Sequence, residues 1–340
     1  KWADAGWIVP AEDYKPEIKS YLADIEPFCQ SGITYKNKLY GLPYYGDIET
    51  LIVNYDILKR AGISTPPKTW DEVVSQSLTI KSKGIVDYPV AVTWKAEPWF
   101  EEALSAMVFS RGGKFFDQNN NPIFQQGSAV HEAVQWNVDA MNKHKIMSPK
   151  VVEMAVKEVK EAMMEGQIAF AVLAGYYMGE ISAKPSKVVG MADVAEMPGT
   201  THETVGWMRF YAFGKHGVQK DFLDHSWMLM EFLGGKTDPL NEGKTSYYVS
   251  KRWAIENILG SPIISLNNDP AVRTAFNKYL NADVYFAQRP KARLKEGIQN
   301  AGFAAWVVTL RSELQKAFMG TATVTDALNN VANEWNKLKK

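Results

Sequence analysis

The sequence predicts an α/β protein with two lobes, each built on its own sheet. Strand-like and helix-like segments alternate along most of the chain, a pattern typical of parallel sheets with helices on their faces. The stretch 40–55 indicates a strand, a break at Pro43 and Gly46, and a second strand, so the chain can pass from one sheet to another there. With 340 residues, 46% of them hydrophobic, each lobe can bury a core.

Local signals predict the elements in order. Strands are expected over 39–44, 49–55, 89–93, 168–173, 188–194 and 205–213. Helices are expected over 56–61, 69–83, 98–111, 128–144, 156–165, 221–233, 251–259, 270–280 and 301–318. The helix from 69 begins with a capping box of Thr69 and Glu72 and stops at Gly84. Thr325 is the expected cap of a last helix, and this helical tail should pack back onto earlier elements.

The composition excludes several classes of function. Lys plus Arg equals Asp plus Glu, 38 against 38, so there is no basic field for a nucleic acid partner. No apolar run reaches the length of a membrane span. One cysteine, Cys29, and five histidines make a metal site hard to assemble, and the sequence lacks a phosphate-binding loop and a nucleophile elbow. We therefore expect no metal and no cofactor.

The break in the 40–55 stretch has the chemistry of a carbohydrate site. Tyr44, Tyr45 and Asp47 place aromatic rings beside a carboxylate, and Glu49 adds a second acid. Rings stack on the C–H faces of a polyhydroxy compound, while its hydroxyl groups donate to the acids. The plainer interpretation is a strand pair with two core tyrosines and two solvated acids.

Several motifs resemble one protein family over the whole chain. The most specific is Asn54-Tyr-Asp-Ile-Leu58 followed by Pro66-Pro-Lys-Thr-Trp-Asp-Glu72, and the others are Trp2 to Ile8, Leu39 to Tyr44, Glu97-Pro-Trp99 and the stretch from Thr323 to Trp335. Together they are similar to the extracellular solute-binding proteins of ABC importers, in the sugar-binding group that includes maltose-binding protein. Members begin with a βαβ unit, which we expect to be missing before Trp2.

The resemblance implies a two-lobe periplasmic-binding-protein fold of type II, in which the ligand is held between lobes that close by hinge bending. The N-terminal lobe would contain residues 1–43, incomplete at its start, and 208–257. The C-terminal lobe would contain residues 48–204 and 265–340. Hinges are then expected near 44–47, 205–207 and 258–264, and Tyr247, Tyr248, Arg252 and Trp253 border the third of them.

The resemblance also suggests ligand contacts around the first crossover and the next loop. Asp47 stands where sugar-binding members have a ligand-binding glutamate. Glu97-Pro-Trp99 matches the family's Glu-Pro-aromatic motif, and Trp94 precedes it after the 89–93 strand. The alternative for Glu97 is a carboxylate favoured only by the N-terminus of the following helix.

Four more positions follow from the same resemblance. Tyr176 matches a stacking tryptophan of relatives, and Trp207 and Arg209 flank the second crossover on one face of a strand. Arg209 could instead form a salt bridge. Trp306 lies next to a family stacking position, although Val307 is the direct match.

These observations predict a monomeric receptor, not an enzyme, at the periplasmic or extracellular face of the cell. It would capture a mono- or oligosaccharide and deliver it to the membrane permease of an ABC importer. Two alternatives stay open: a glycoside hydrolase that uses Asp47 and Glu97 as its acid pair, or a receptor for a polyamine or another solute that is not a sugar. Arg209 beside the ligand would disfavour a cation.

Overall fold

The chain divides into two units in a computed structural model, which describes residues 2–219, 222–237 and 246–339. Unit 1 contains residues 1–48 and 206–278, and unit 2 contains residues 49–205 and 279–340. Residues 265–278, which the sequence analysis assigned to the second lobe, therefore belong to unit 1. Hinge bending near 44–47, 205–207 and 258–264 stays a prediction. No helix within the described ranges is both long and apolar enough to cross a bilayer.

The strands are short, apart from two that pass from one unit to the other. They are β1 (Ile8–Val9), β2 (Thr34–Tyr35), β3 (Lys38–Leu39), β4 (Gly41–Asn54), β5 (Val90–Ala91), β6 (Phe170–Ala174), β7 (Ala192–Ala195), β8 (Thr204–Gly214) and β9 (Ala292–Leu294).

The α-helices of the first two thirds of the chain are α1 (Pro27–Ile33), α2 (Tyr55–Arg60), α3 (Trp70–Ser82), α4 (Phe100–Phe109), α5 (Ala129–Asn142), α6 (Val156–Met164), α7 (Met178–Ile181) and α8 (Leu223–Gly234). They are followed by α9 (Tyr248–Asn257), α10 (Ile264–Asn267), α11 (Pro270–Phe276), α12 (Ala282–Gln288), α13 (Phe303–Phe318) and α14 (Val324–Leu338). Short 3₁₀ segments cover Ala11–Asp13, Pro16–Asp24, Pro149–Glu153, Gly175–Tyr177 and Arg289–Lys291.

In unit 1, β8 lies between β1 and the first half of β4, and both pairings are antiparallel. Helix α1 packs beneath the β4–β8 pair at two glycines. A Cβ atom at Gly46 would lie 2.8 Å from the Cys29 sulfur, and one at Gly206 would lie 2.7 Å from the Phe28 ring. This close approach of helix and strands needs residues without side chains at both positions.

In unit 2, the second half of β4 pairs antiparallel with β6 on one side and β7 on the other. Strands β5 and β6 pair in parallel, whereas β4 pairs antiparallel with β6, β7 and β8, which corrects the prediction of parallel sheets. Every residue of α4 is buried, so this helix forms the centre of the unit. The tail packs back as predicted, because Gln315 of α13 donates to the Trp94 carbonyl at 2.8 Å.

Most of the helix starts follow the signals in the sequence. Thr69 accepts the Glu72 amide at 3.1 Å, and Gly84 ends this segment with a φ of +64°. The last helix begins differently from the prediction, since its cap is Thr323, whose hydroxyl accepts the Asp326 amide at 3.0 Å. Thr325 lies inside the helix. Helix α12, a seven-residue helix capped by Asn281, was not predicted.

Candidate functional site

The outer face of the β4–β8 pair collects four of the predicted site residues. Asp47 lies opposite Trp207, and Tyr45 lies opposite Arg209. Directly opposed residues of antiparallel strands share a face, and residues two apart along a strand do as well. Because Gly46 contacts α1 on the inner face, these four side chains project from the other one.

A bulge in β4 adds Tyr44 to this face. Pro43 opposes Phe210, but Tyr45 opposes Arg209, so β4 carries one extra residue between them. The prediction of two strands separated by a break at Pro43 and Gly46 is therefore wrong, because β4 is one strand of 14 residues with a bulge. Bulges redirect side chains, and here two consecutive tyrosines lie on one face.

The bulge lets Tyr44 join an aromatic cluster. Its ring stacks on Tyr211 with centroids 4.4 Å apart, and Trp253 meets it edge-on at 5.2 Å. Such pairs contribute roughly 1 kcal/mol each beyond their burial. Burial raises the pKa of Tyr211, and the neighbouring Tyr44 adds to the rise, so the hydroxyl stays protonated at neutral pH. Sequence reasoning missed Tyr211, although its position two residues after Arg209 puts it on the same strand face.

Two other residues of this face remain accessible. Trp207 is partly exposed, and its indole N–H donates to the Tyr45 hydroxyl at 3.4 Å. Tyr45 itself is buried, so its hydroxyl serves to orient Trp207. Arg209 is exposed. The strand pair thus presents an indole, two phenols and a guanidinium together.

Asp47 has a different position from the one predicted. Its side chain is 0% exposed, one oxygen accepts the Ile48 amide at 2.8 Å, and the other accepts the Gly260 amide at 3.1 Å. The Gly46 amide also donates to the Gly260 carbonyl at 3.0 Å. The carboxylate therefore joins two segments of unit 1 through their backbones, which corrects its interpretation as an acceptor open to solute.

The loop before α4 carries Glu97 and Trp99 in unit 2. Both side chains are partly exposed, and Glu97 forms a surface ion pair with Lys95 at 3.4 Å. Exposed pairs of this kind contribute little stability, so the Glu97 carboxylate can exchange partners freely. Trp99 immediately precedes the helix and has a φ of +97°, a backbone conformation that residues other than glycine rarely adopt.

Tyr176 follows β6 at the position predicted, within the 3₁₀ turn Gly175–Tyr177. A Cβ atom at Gly175 would lie 2.4 Å from the Tyr285 ring, so this turn needs a glycine in order to pack against α12. Tyr176 is partly exposed, and its ring lies 4.3 Å from that of Tyr177. Part of the Tyr176 side chain is therefore accessible to solvent, although its ring lies against that of Tyr177.

Trp94 and Trp306 are core residues, which corrects their assignment to the site. Trp94 is 0% exposed, and its indole N–H donates to Asn137 at 2.9 Å. Trp306 is 2% exposed, packs edge-on against Trp335 at 5.0 Å and donates to the Val331 carbonyl at 3.0 Å. Trp94 follows β5 and Trp306 lies in α13, as predicted, but neither ring has a surface to offer a solute.

A separate cavity of about 570 Å³ lies in unit 2 and contains none of the predicted site residues. Trp70 and Trp136 line it with ring centroids 5.0 Å apart, and the Arg111 guanidinium lies 5.0 Å from the Trp70 ring. Burial lowers the pKa of Arg111 to about 10. Trp136 is partly exposed, so it serves below as a control for the loss of a tryptophan outside the candidate site.

The family is settled by comparison with known proteins. Residues 1–233 match the family described as bacterial extracellular solute-binding protein. The chain belongs to this family. Its members bind solutes and are not enzymes, which confirms the prediction that this solute-binding protein has no catalytic function and sets aside the glycoside hydrolase.

Solved structures confirm the fold class. The maltose-bound MalE3 of T. maritima superposes on this solute-binding protein with a TM-score of 0.78 at 18% identity, over 99% of this chain and 86% of that one. An ABC transporter solute-binding protein of Agrobacterium vitis S4, solved with D-mannitol, gives a TM-score of 0.74 at 21% identity, over 99% and 81%. The predicted α/β fold of periplasmic binding proteins is therefore confirmed.

One relative found by sequence matches a smaller part of this solute-binding protein than the solved structures do. A protein of Brucella abortus (strain 2308), named as a binding protein, is 23% identical over 240 residues, or 66% of this chain. This chain spans 57% of the length of that relative.

Proposed function

We propose that this protein captures a small carbohydrate or polyol outside the cytoplasmic membrane, in the periplasm or on the outer cell face. It then delivers the solute, as a monomer, to the permease of an ABC importer. Family membership supports extracellular solute binding, and the choice of solute class is supported by the residues of the β4–β8 face.

One observation carries the solute class: Trp207, Tyr44 and Tyr211 share a strand face with the exposed Arg209. Indole and phenol rings stack on the C–H faces of sugars and polyols, and a guanidinium donates to their hydroxyl oxygens. In unit 2, considered by itself, the Trp99 and Tyr176 rings are partly exposed and the exchangeable Glu97 carboxylate can accept from hydroxyl groups. These are the site residues that we retain from the sequence, with Tyr45 in a supporting role.

The energy needed is within reach of such a set. Micromolar binding corresponds to about 8 kcal/mol. A few stacked rings and several charge-assisted hydrogen bonds can supply this amount without a metal or a covalent bond.

The alternative of a polyamine fits the same face less well. Rings and acids bind ammonium groups through cation–π contacts and ion pairs, but Arg209 would repel them. The maltose and D-mannitol of the two solved relatives are therefore the first probes, and spermidine is the discriminating one.

Thermal unfolding in the presence of maltose, D-mannitol, spermidine or a tripeptide tests the proposal. A ligand at 100 times its dissociation constant stabilises a protein by about 2.7 kcal/mol, so we expect maltose or D-mannitol to raise the midpoint by several degrees. The shift should disappear in Trp207→Ala and persist in Trp136→Ala. A shift with spermidine alone would replace the carbohydrate with a polyamine, and a sugar shift that survives Trp207→Ala would place the site elsewhere.

A further inference from the structure

Trp99 stands apart from the other residues with positive φ. Its φ of +97° lies outside the left-handed well, whereas the seven other non-glycine residues with positive φ in the described part of the chain range from +47° to +61°. A bulky side chain in such a conformation persists only where its surroundings impose it. The contacts around Trp99 should therefore show what holds it there.

The two neighbours of Trp99 fix the chain on either side. Pro98 has a restricted φ of its own. Phe100 is fully buried and packs on Trp94 at 4.8 Å and on Phe318 at 6.1 Å. The Trp99 carbonyl accepts the Ala103 amide at 3.1 Å, the first hydrogen bond of α4. These contacts anchor the carbonyl side of Trp99 but leave its N–H group to be accounted for.

The Trp99 N–H donates to Glu102 Oε2 at 3.2 Å. The other oxygen of this carboxylate accepts from the Lys295 ammonium at 2.5 Å, and both side chains are almost completely buried, 11% and 13% exposed. A buried carboxylate needs a partner of opposite charge, and the ion pair with Lys295 holds the Glu102 carboxylate in the orientation that meets the Trp99 N–H.

The adjacent acid offers a matched comparison. Glu101 is also buried and forms a two-point ion pair with Arg311, at 2.9 and 2.6 Å. Both acids lie in the first turn of α4, where a negative charge is favoured by the helix N-terminus. The Trp99 N–H donates to Glu102, whereas the two oxygens of Glu101 accept from Arg311.

We propose that Glu102 and Lys295 are positioning residues that hold Trp99 at positive φ and so direct its ring toward the solute. This inference rests on the proposed function, because it takes Trp99 as a solute contact. Rotation about φ would swing the Cβ atom of Trp99 to another side of the loop. Loss of the carboxylate would remove the acceptor that Glu102 supplies to this N–H and so favour that rotation.

The test is ¹⁹F NMR of the whole protein labelled with 5-fluorotryptophan. Of the eleven tryptophan signals, that of Trp99 is identified by its absence in Trp99→Phe. In Glu102→Ala we expect this signal to shift or broaden and the affinity for maltose or D-mannitol to fall about tenfold. Glu101→Ala, which also breaks a buried ion pair, should leave the Trp99 signal and the affinity unchanged.

Two milder variants cover the case in which Glu102→Ala does not fold. Glu102→Gln keeps an oxygen that can accept the Trp99 N–H, so the signal should stay close to its original position. Lys295→Gln removes the partner of the carboxylate, so the signal should move in the same direction as in Glu102→Ala but less. A Trp99 signal that is unmoved in Glu102→Ala or, where that variant does not fold, in Lys295→Gln overturns the positioning role, and so does a signal that moves equally in Glu101→Ala.

The solute contact can fail separately. If the Trp99 signal moves in Glu102→Ala while neither this variant nor Trp99→Phe alters binding of any probe, the positioning of the ring stands and Trp99 is not a solute contact. If no probe binds the unaltered protein, the proposed function fails, and the ¹⁹F comparison still decides the positioning role.

Discussion

The β4–β8 strand pair of unit 1 and the loop before α4 of unit 2 present aromatic rings in different ways. In the strand pair, alternation along regular strands and one bulge bring Tyr44, Trp207 and Tyr211 to a single face. In the loop, Trp99 has an unfavourable backbone conformation beside a buried ion pair. A ring on a strand can be removed without disturbing the backbone, whereas the ring and the backbone of Trp99 are coupled.

The largest expected effect separates rings that pack in the core from rings that face solvent. Trp306→Ala should lower the free energy of unfolding of unit 2 by about 3 to 5 kcal/mol, because it leaves a large cavity beside Trp335. Urea unfolding measures this loss, and solute affinity in the remaining folded protein should not change. A loss below about 1 kcal/mol, equal to that of the exposed-ring variant Trp207→Ala, would contradict the core assignment.

The next effect concerns the base of the strand pair. Asp47→Ala removes the buried acceptor of the Ile48 and Gly260 amides and should destabilise unit 1 by about 3 kcal/mol. Amide hydrogen exchange at Gly260 should accelerate in parallel. Asp47→Asn retains one acceptor oxygen and should lose less, whereas equal losses in the two variants would argue against the Gly260 link.

A smaller effect, on solute affinity, tests whether the β4–β8 strands present the Trp207 ring to the solute. Trp207→Ala should weaken binding of maltose or D-mannitol by about 2 kcal/mol, roughly 30-fold, since a stacking ring is lost at the centre of the face. Its thermal midpoint without ligand should stay close to that of the unaltered protein. Isothermal titration calorimetry measures the affinity, with Trp136→Ala as the matched tryptophan control. Equal losses in these two variants would remove the strand face from the site.

The smallest effect, on stability, tests the strained backbone of Trp99 in the loop before α4. Glycine normally destabilises ordered structure relative to alanine, but it adopts positive φ without strain. Trp99→Gly should therefore be more stable than Trp99→Ala by about 1 kcal/mol, a reversal of the usual order. Urea unfolding of the two variants decides the sign. If Trp99→Ala is the more stable variant, the strain at this position has been overstated.

Much of the fold could be predicted because its signals are local. Helix α3 starts at the Thr69 cap and stops before Gly84, as the pattern of side-chain acceptor and glycine indicates. The cap of α14 was misplaced by two residues because Thr323 and Thr325 are both suitable types, and the choice depends on which hydroxyl meets an amide. Strand direction was mispredicted, since an alternation of strands and helices does not record which strands become neighbours.

The candidate site was predictable to a different extent in each part. Trp207 and Arg209 share a strand face, as the period of two along a strand predicts, whereas the place of Tyr45 on that face depends on the register between β4 and β8. The burial of Trp94, Trp306 and Asp47 was not predictable, because the local sequence around each of them is the same whether the side chain faces solvent or the core. Those positions depend on Asn137, Trp335 and Gly260, which are distant in the chain.

The order of residues alone was sufficient for the family, through the resemblance of its motifs. It was also sufficient for the α/β class and the aromatic character of the β4–β8 face, because these depend on local propensity and on periods of two and 3.6 residues. Folding in three dimensions was needed to bring Lys295 to Glu102 and Gly260 to Asp47, contacts that join residues 193 and 213 positions apart. A short-range sequence pattern does not predict such partners. A charge or an amide needs a protein partner only where the packed chain excludes water, and which residue becomes that partner depends on the tertiary fold.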